Sequence, residues 1–284
     1  MISGRFPTFL VAGTQKAATT WVYECLHEHP QVLVPRTKEL HFFCPKGQCW
    51  KSRADLGHEW YLSQFPVRDE KAWGELSVDY MFYPEVAATV TAHNPALRVL
   101  FILRDPSDRA YSAYWMNRRN KPDMPPFDDF VRADSDFVAR GFYLRQIERY
   151  LALLAREQIK VMIYEDIHPD PRAFIGQVYE FLGVDPAFAP PSVNQSIAAT
   201  RSLPPSLSRF VYRSVSPILQ LPYVLPAWRA FKRTTGIKRS GGEARPSGYA
   251  PMSNVVRARL DDLYRNENHR LFDFLGREIP QWSK

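Results

Sequence analysis

The stretch Thr8–Trp21, TFLVAGTQKAATTW, constrains this chain more than any other part of it. Phe9-Leu10-Val11-Ala12 reads as a buried strand, Gly13 to Ala18 as a tight turn, and Thr19-Thr20 as the opening of a helix. A strand that runs through such a turn into a helix aims backbone N–H groups and the positive end of the helix dipole at one point. That point suits a phosphate or a sulfate. Lys16 sits inside the turn and adds a full positive charge. The stretch predicts an anion cradle, with the rest of the chain arranged around it.

The later pattern supplies the α/β frame. Helices are expected over Thr19–Glu28, Glu59–Phe65, Pro84–His93, from Pro106 to about Arg119, Phe142–Glu157, Pro171–Leu182 and Asn254–Leu275. Strands are expected at Gln31–Val34, Trp73–Val78, Arg98–Leu103 and Lys160–Tyr164, with Lys121–Asp136 as a loop. Arg98–Leu103, RVLFIL, is apolar at five of its six positions without alternation, which fits a central parallel strand covered on both faces. Within Phe142–Glu157, Leu144, Ile147, Leu151 and Leu154 point inward. In the last helix, Val256, Leu260, Leu263, Leu271 and Phe274 do so. The alternation predicts a three-layer, P-loop-like α/β fold with a central parallel sheet flanked by helices.

The chain has 284 residues, 45% of them hydrophobic, enough for one large α/β domain. A net charge of +7 suits anionic ligands, but it lacks the charge block of a nucleic-acid binder. Cys25, Cys44 and Cys49 make no disulfide framework, so a reducing compartment is expected. The N-terminus lacks a signal-peptide pattern, and no run of about 18 apolar residues predicts a transmembrane helix. The expected address is the cytoplasm.

The cradle is not a Walker A loop, which needs G-x-x-x-x-G-K-[ST]. Counting from Gly13, Ala18 replaces the second glycine, Thr19 fills the lysine slot and Thr20 the Ser/Thr slot. Lys16-Ala17-Ala18-Thr19-Thr20 instead resembles the 5′-phosphosulfate loop of sulfotransferases that use 3′-phosphoadenosine 5′-phosphosulfate (PAPS). Two further motifs strengthen the resemblance. Arg104-Asp105-Pro106-Ser107-Asp108-Arg109 with Ser112 follows the strongest strand, where ligand sites of α/β sheets lie. Thr37-Lys38-Glu39-Leu40-His41-Phe42-Phe43 is similar to the K-E-x-H-F-F segment of the heparan-sulfate type.

The resemblance implies roles. Gln15, Lys16, Ala17, Ala18, Thr19 and Thr20 would hold the 5′ end of the donor, and Arg104 and Ser112 its 3′-phosphate. Glu39 would be the base on the acceptor hydroxyl, and Lys16 would stabilise the leaving oxygens. His41 would orient Glu39 or bind the acceptor, while Phe42 and Phe43 pack. Arg245 and Tyr249 are lid candidates before the last helix. Leu275-Gly276-Arg277 to Trp282 resembles the family's closing G-R-x-x-x-W.

The chain also departs from the family pattern. Cys44 follows the two phenylalanines where an acid is common. Glu75-Leu76-Ser77-Val78-Asp79-Tyr80 stands for E-K-[ST]-x-x-Y-F, so the assisting lysine is Leu76 here. The resemblance implies one domain over residues 1–284, with a variable basic and aromatic insertion at about 196–244. Its segment Leu207–Lys238 reads as a helical insertion, with a peripheral membrane contact or an acceptor lid as the alternative.

His41, Cys44, Cys49 and His58 match no common zinc spacing and are expected to be uncoordinated. No metal is required, because Lys16, Arg104 and helix N-termini supply positive charge. The expected activity is therefore PAPS-dependent sulfuryl transfer to a hydroxyl on a small-molecule or glycan acceptor, a carbohydrate or lipid-linked glycan, with no nucleic-acid partner. The rivals are a P-loop nucleotide kinase or NTPase, and a non-catalytic anion-binding module.

Overall fold

The computed structural model describes residues 6–49, 52–66, 69–119, 121–194 and 249–282. The elements run β1 (Phe9–Gly13), α1 (Thr19–Glu28), β2 (Val32–Leu33), α2 (Gly57–Ser63), β3 (Ala72–Leu76), α3 (Pro84–His93) and β4 (Arg98–Leu103). They continue with α4 (Pro106–Arg118), α5 (Asp136–Ala139), α6 (Tyr143–Leu151), β5 (Ile159–Ile163) and α7 (Pro171–Leu182), and close with α8 (Asn254–Leu275). The five strands form one sheet in the order β2-β3-β1-β4-β5, and every pairing is parallel. This is the expected α/β architecture with helices flanking a parallel sheet. The chain divides into two compact units, Met1–Gln195 with Met252–Lys284, and Ser196–Pro251. The sheet and all the elements named here belong to the first. No helix among the described residues is long and apolar enough to cross a membrane.

The alternation of strand side chains divides the core. Leu10, Ala12, Val99, Phe101 and Leu103 join one apolar cluster with Val86 and Val90 of α3 and Ile147 and Tyr150 of α6. On α1 and α7, the Trp21 and Phe174 rings lie 6.1 Å apart, and the Tyr179 hydroxyl donates to the Cys25 carbonyl at 2.9 Å. β4 is buried from Val99 to Leu103, as its unbroken apolar run requires. β1 is buried throughout.

Several boundaries differ from the sequence pattern. The helix expected to reach Glu157 stops at Leu151. The chain must turn there to enter β5, and Gln158 closes the turn by accepting from the Ala155 N–H at 3.1 Å. Leu154 is still buried, but in that turn, while Leu153 is exposed. On α8 the buried stripe runs Val256, Leu260, Tyr264, Glu267, Asn268, Leu271 and Phe272. Leu263 and Phe274 are only partly buried. The polar members were hidden from an apolar count. Glu267 accepts from the Arg145 N–H at 3.1 Å, and the Tyr264 hydroxyl donates to the Val138 carbonyl at 2.8 Å. The loop Lys121–Asp136 contains a short 3-10 turn at Phe127–Phe130, and the strand at Gln31–Val34 shortens to Val32–Leu33.

Ala18 caps α1 in the left-handed conformation, at φ 56° and ψ 18°. A Cβ is disfavoured there, and glycine is not. Ala18→Gly is therefore expected to raise the unfolding free energy by about 0.5–1 kcal/mol, less whatever unfolded-chain entropy the glycine adds. Urea denaturation measures this, and an unchanged or lower stability would show that the turn carries no such strain.

Candidate active site

Two neighbouring strand ends make one corner. β1 and β4 pair in parallel, and beyond β1 the Thr14 N–H donates to the Ile102 carbonyl at 2.9 Å. Gly13 is sterically required: a Cβ there would lie 2.7 Å from Met81 Sδ. The turn then passes Lys16 at φ 75° and Ala18 at φ 56°. Ala18 offers no side-chain cap to α1. By contrast, α4 is capped by Asp105, which accepts from the Asp108 N–H at 2.8 Å. The α1 terminus thus keeps the orphan donors and positive dipole end that suit an anion.

Arg104 leaves β4 toward this turn. Its Nη1 donates to the Lys16 carbonyl at 3.1 Å, and its guanidinium lies over the Tyr164 ring at 4.9 Å. The Arg104 carbonyl accepts from the Tyr143 hydroxyl at 2.8 Å. The two cations read from separate motifs are therefore brought together. The Lys16 amine is held down at about 8, by burial first and then by Arg119, Arg104 and Lys38, with Glu39 acting the other way. Burial leaves Gln15 partly covered, Ala17 and Thr19 buried, and Thr20 exposed. Ser112 is buried on α4, two turns beyond Arg104.

Glu39 completes the corner. Its Oε1 lies 2.5 Å from Lys38 Nζ, and its Oε2 lies 3.6 Å from His41 Nε2. Burial raises its pKa, but the hydrogen bond from His41 and the Lys38 charge outweigh burial and hold it at about 2. Glu39 is thus a carboxylate at neutral pH. Both Glu39 (φ 64°) and His41 (φ 53°) have left-handed backbones. Such conformations persist only where neighbours over-determine them. Here the Glu39 N–H donates to the Leu76 carbonyl at 3.0 Å, and the His41 N–H donates to Ser77 Oγ at 3.2 Å. Arg53 Nη1 donates to the Glu39 and Leu40 carbonyls at 3.0 and 2.9 Å.

Beneath this loop lies a carboxylate network. Glu75 is fully buried and accepts from the Tyr61 and Tyr80 hydroxyls at 2.9 Å each and from Ser77 Oγ at 2.7 Å. Its pKa is raised by burial, against those three hydrogen bonds. Leu76 is buried on β3, and its carbonyl is the group that holds Glu39. Phe42 and Phe43 are packing residues, buried against Tyr61 at ring distances of 4.7 and 5.0 Å.

Some expectations change. His41, Cys44 and Cys49, whose spacing matches no common zinc site, nevertheless come together as a buried cluster whose ligand atoms lie within 4.8 Å of one another. The fold achieves this by turning the chain over between residues 41 and 49, which spacing alone does not reveal. His58 is not part of it; its Nε2 lies 2.6 Å from His93 Nε2. Arg245 lies outside the described residues. Tyr249 is 39% exposed and belongs to the second unit. Lys38, Arg53, Arg119, Asp79 and Arg140 carry site geometry without having been assigned roles. Lys38 lay inside the quoted motif beside Glu39, and that adjacency was the signal.

The family model described as "Sulfotransferase domain" matches residues 6–204. The human bifunctional heparan sulfate N-deacetylase/N-sulfotransferase 3 is 28% identical over 305 aligned positions, covering 99% of this chain and 31% of the relative. The human heparan sulfate glucosamine 3-O-sulfotransferase 3B1 is 26% identical over 192 positions, covering 64% of this chain and 47% of the relative. The chain therefore spans less than half the length of these curated relatives. A crystal structure of a sulfotransferase from Alicyclobacillus acidocaldarius superposes with a TM-score of 0.72 at 24% identity, covering 99% of this chain and 100% of that one. That similarity shows the shared fold.

The loop carrying Glu39 hangs on Arg53, and a hydrogen bond from a charged donor is worth about 1.5–3 kcal/mol. Arg53→Ala is expected to speed amide exchange across residues 39–44 by roughly 10- to 100-fold while leaving β1 and β4 protected. Hydrogen–deuterium exchange read by mass spectrometry checks this. Unchanged protection would show that Ser77 and Leu76 hold the loop alone.

Proposed function

The chain belongs to the sulfotransferase domain family, and from that premise we infer that it transfers a sulfuryl group from PAPS to a hydroxyl of a carbohydrate or glycolipid acceptor. The observation that carries the reading is the convergence of Lys38, Arg104, Arg119 and one carboxylate, Glu39, on Lys16. That charge balance favours a multiply anionic ligand beside a group able to accept a proton.

The residues present fit the donor. Lys16, the N–H groups from Gln15 to Thr20 and the open α1 terminus would hold its 5′ end, and Arg104 with Ser112 its 3′-phosphate. When bound, the donor supplies the sulfuryl group, and adenosine 3′,5′-bisphosphate is the other product. Lys16 would neutralise charge on the departing phosphate oxygens. Glu39 would take the acceptor proton, so alcohol and donor give sulfate ester, bisphosphate and one proton on Glu39. A carboxylate held at about 2 is a weak base in the free protein. Lys38 pairs with it at 2.5 Å, and drawing Lys38 toward the anionic donor would strengthen the base once both substrates are in place. His41 would keep Glu39 oriented. This step assigns no role to a metal. A reducing compartment such as the cytoplasm suits the three free, buried cysteines.

The carbohydrate acceptor is supported by the heparan sulfate named for both relatives. The name of the first, an N-sulfotransferase, gives a specific reason to include an amine as the second reading. Radiolabelled donor with acceptors carrying a free hydroxyl or a free glucosamine amine separates the two.

Lys16→Ala and Arg104→Ala are each expected to weaken binding of adenosine 3′,5′-bisphosphate by roughly 10- to 100-fold. Glu39→Gln should keep that affinity and lose turnover by about 10²- to 10⁴-fold. Calorimetry and single-turnover assays check both, and unchanged affinity in the two cation variants would overturn the site. A pH dependence follows from Lys16. Its amine is charged below about 8 and loses its proton above. Between about pH 7, where the phosphates are doubly ionised, and that pH, bisphosphate affinity should therefore be flat, and it should fall by up to about tenfold per unit above it. Lys16→Arg should flatten the fall, because guanidinium stays charged.

A further inference from the structure

His41 presents its other ring nitrogen to a second constellation, behind the Glu39 loop. His41 Nδ1 lies 3.8 Å from Cys44 Sγ, 3.7 Å from Cys49 Sγ and 3.4 Å from Asp79 Oδ2. Cys49 Sγ lies 4.0 Å from the same Asp79 oxygen. All four side chains are buried. A tetrahedral zinc has Zn–S near 2.3 Å and Zn–N or Zn–O near 2.0–2.1 Å, which sets ligand-to-ligand edges of roughly 3.4–3.8 Å. The edges at His41 Nδ1, of 3.4, 3.7 and 3.8 Å, match these values, while the Cys49 Sγ–Asp79 Oδ2 edge of 4.0 Å is longer, so His41, Cys44 and Cys49 form the tight group and the Asp79 carboxylate has to close in slightly when the metal binds. Thiols are weak hydrogen-bond partners, so hydrogen bonding alone gives little reason to gather two of them with an imidazole and a carboxylate in a dry pocket.

We propose that His41 Nδ1, Cys44 Sγ, Cys49 Sγ and Asp79 Oδ2 form a closed, four-ligand zinc site. Binding would release the two thiol protons to solvent. Two thiolates and one carboxylate against Zn²⁺ leave one negative charge, and Arg140 supplies the balancing positive charge. Its Nη1 donates to Asp79 Oδ1, the oxygen not assigned to the metal, at 2.6 Å. The Arg140 guanidinium is itself held over the Phe82 ring at 4.2 Å. With four protein ligands and no exposed face, the site has the closed form of structural zinc.

The placement gives the metal a task. His41, Cys44 and Cys49 lie on one loop, while Asp79 follows β3, so the ion staples the Glu39 loop to the end of the sheet. Ligation through Nδ1 puts the His41 proton on Nε2, which faces Glu39 Oε2 at 3.6 Å. A ligating histidine commonly donates its second N–H to a carboxylate in this way. This last consequence rests on Glu39 being the catalytic base; the zinc site itself does not.

The test uses the whole chain, expressed with zinc supplementation and purified under reducing conditions without chelator. About one zinc per chain is expected by elemental mass spectrometry, and X-ray absorption at the zinc edge should show two sulfur and two nitrogen or oxygen neighbours. Cobalt exchange should give thiolate charge-transfer and tetrahedral d–d bands. Cys44→Ser and Cys49→Ser should each lose most of the metal. Asp79→Asn, which keeps both thiols, should weaken retention against a competing chelator by about tenfold or more. The wild-type absorption and cobalt spectra stand even if a variant fails to fold. A wild type purified without metal that takes up no cobalt overturns the site, as does a Cys44–Cys49 disulfide found under those conditions. Zinc retained unchanged in both cysteine variants overturns its location. Bisphosphate binding is measured separately: a zinc-bearing chain that binds no bisphosphate sinks the sulfotransfer site and leaves the metal site standing.

Discussion

The parallel pairing of β1 with β4 is the contact on which the site depends. The two strands meet at the centre of the order β2-β3-β1-β4-β5, with the chain moving to one side after β1 and to the other at β4. At such a reversal the loops leaving adjacent strand ends diverge and open a crevice. Here one of those loops carries Lys16 and the other starts with Arg104. Their hydrogen bond at 3.1 Å follows from strand adjacency, because the two residues are 88 positions apart in the chain. The apolar run of β4 and the burial of β1 secure that adjacency, so the core and the charge cluster cannot be separated energetically.

Strain is concentrated at the same corner. The four non-glycine residues with positive φ among the described residues are Lys16, Ala18, Glu39 and His41. Each such residue costs of order 1 kcal/mol or more. The supports are correspondingly dense. Glu75, buried beneath, accepts from Ser77, and Ser77 receives the His41 N–H, so a buried acid fixes the backbone of the loop above it. Ala18 differs, since no side-chain cap supports it and the helix terminus stays open.

Local pattern and folded position diverged in a consistent way. The unbroken run of β4, the proline starts of α3 and α7 and the glycine stops of α7 and α8 are local signals, and those element ends match the expectation. The end of α6 was not legible, because what stops it is the need to enter β5. In the site, Lys16, Arg104 and Glu39 were readable because each lies in a motif whose chemistry is local. Their mutual electrostatics were not readable: the Lys16 amine is depressed by burial first and then by Arg119, Arg104 and Lys38, which only folding brings near. The cysteines were the hardest case. His41, Cys44 and Cys49 are close in sequence, but their fourth neighbour, Asp79, arrives from beyond β3.

The replacement at Leu76 bears on how the acceptor side of the corner can work. A lysine is expected there by family pattern, yet the Leu76 side chain is buried and its carbonyl anchors the Glu39 N–H at 3.0 Å. Burying an unpaired amine at that point would carry a large desolvation cost. The cation that does reach the carboxylate is Lys38, at 2.5 Å and partly buried. A lysine next to Glu39 in sequence can move with the loop, whereas one on β3 would be fixed to the sheet. Positive charge beside the Glu39 carboxylate is therefore coupled to the position of its loop. That coupling makes Arg53, Ser77 and the cluster around His41 Nδ1 the structural determinants of how the Glu39 carboxylate is presented.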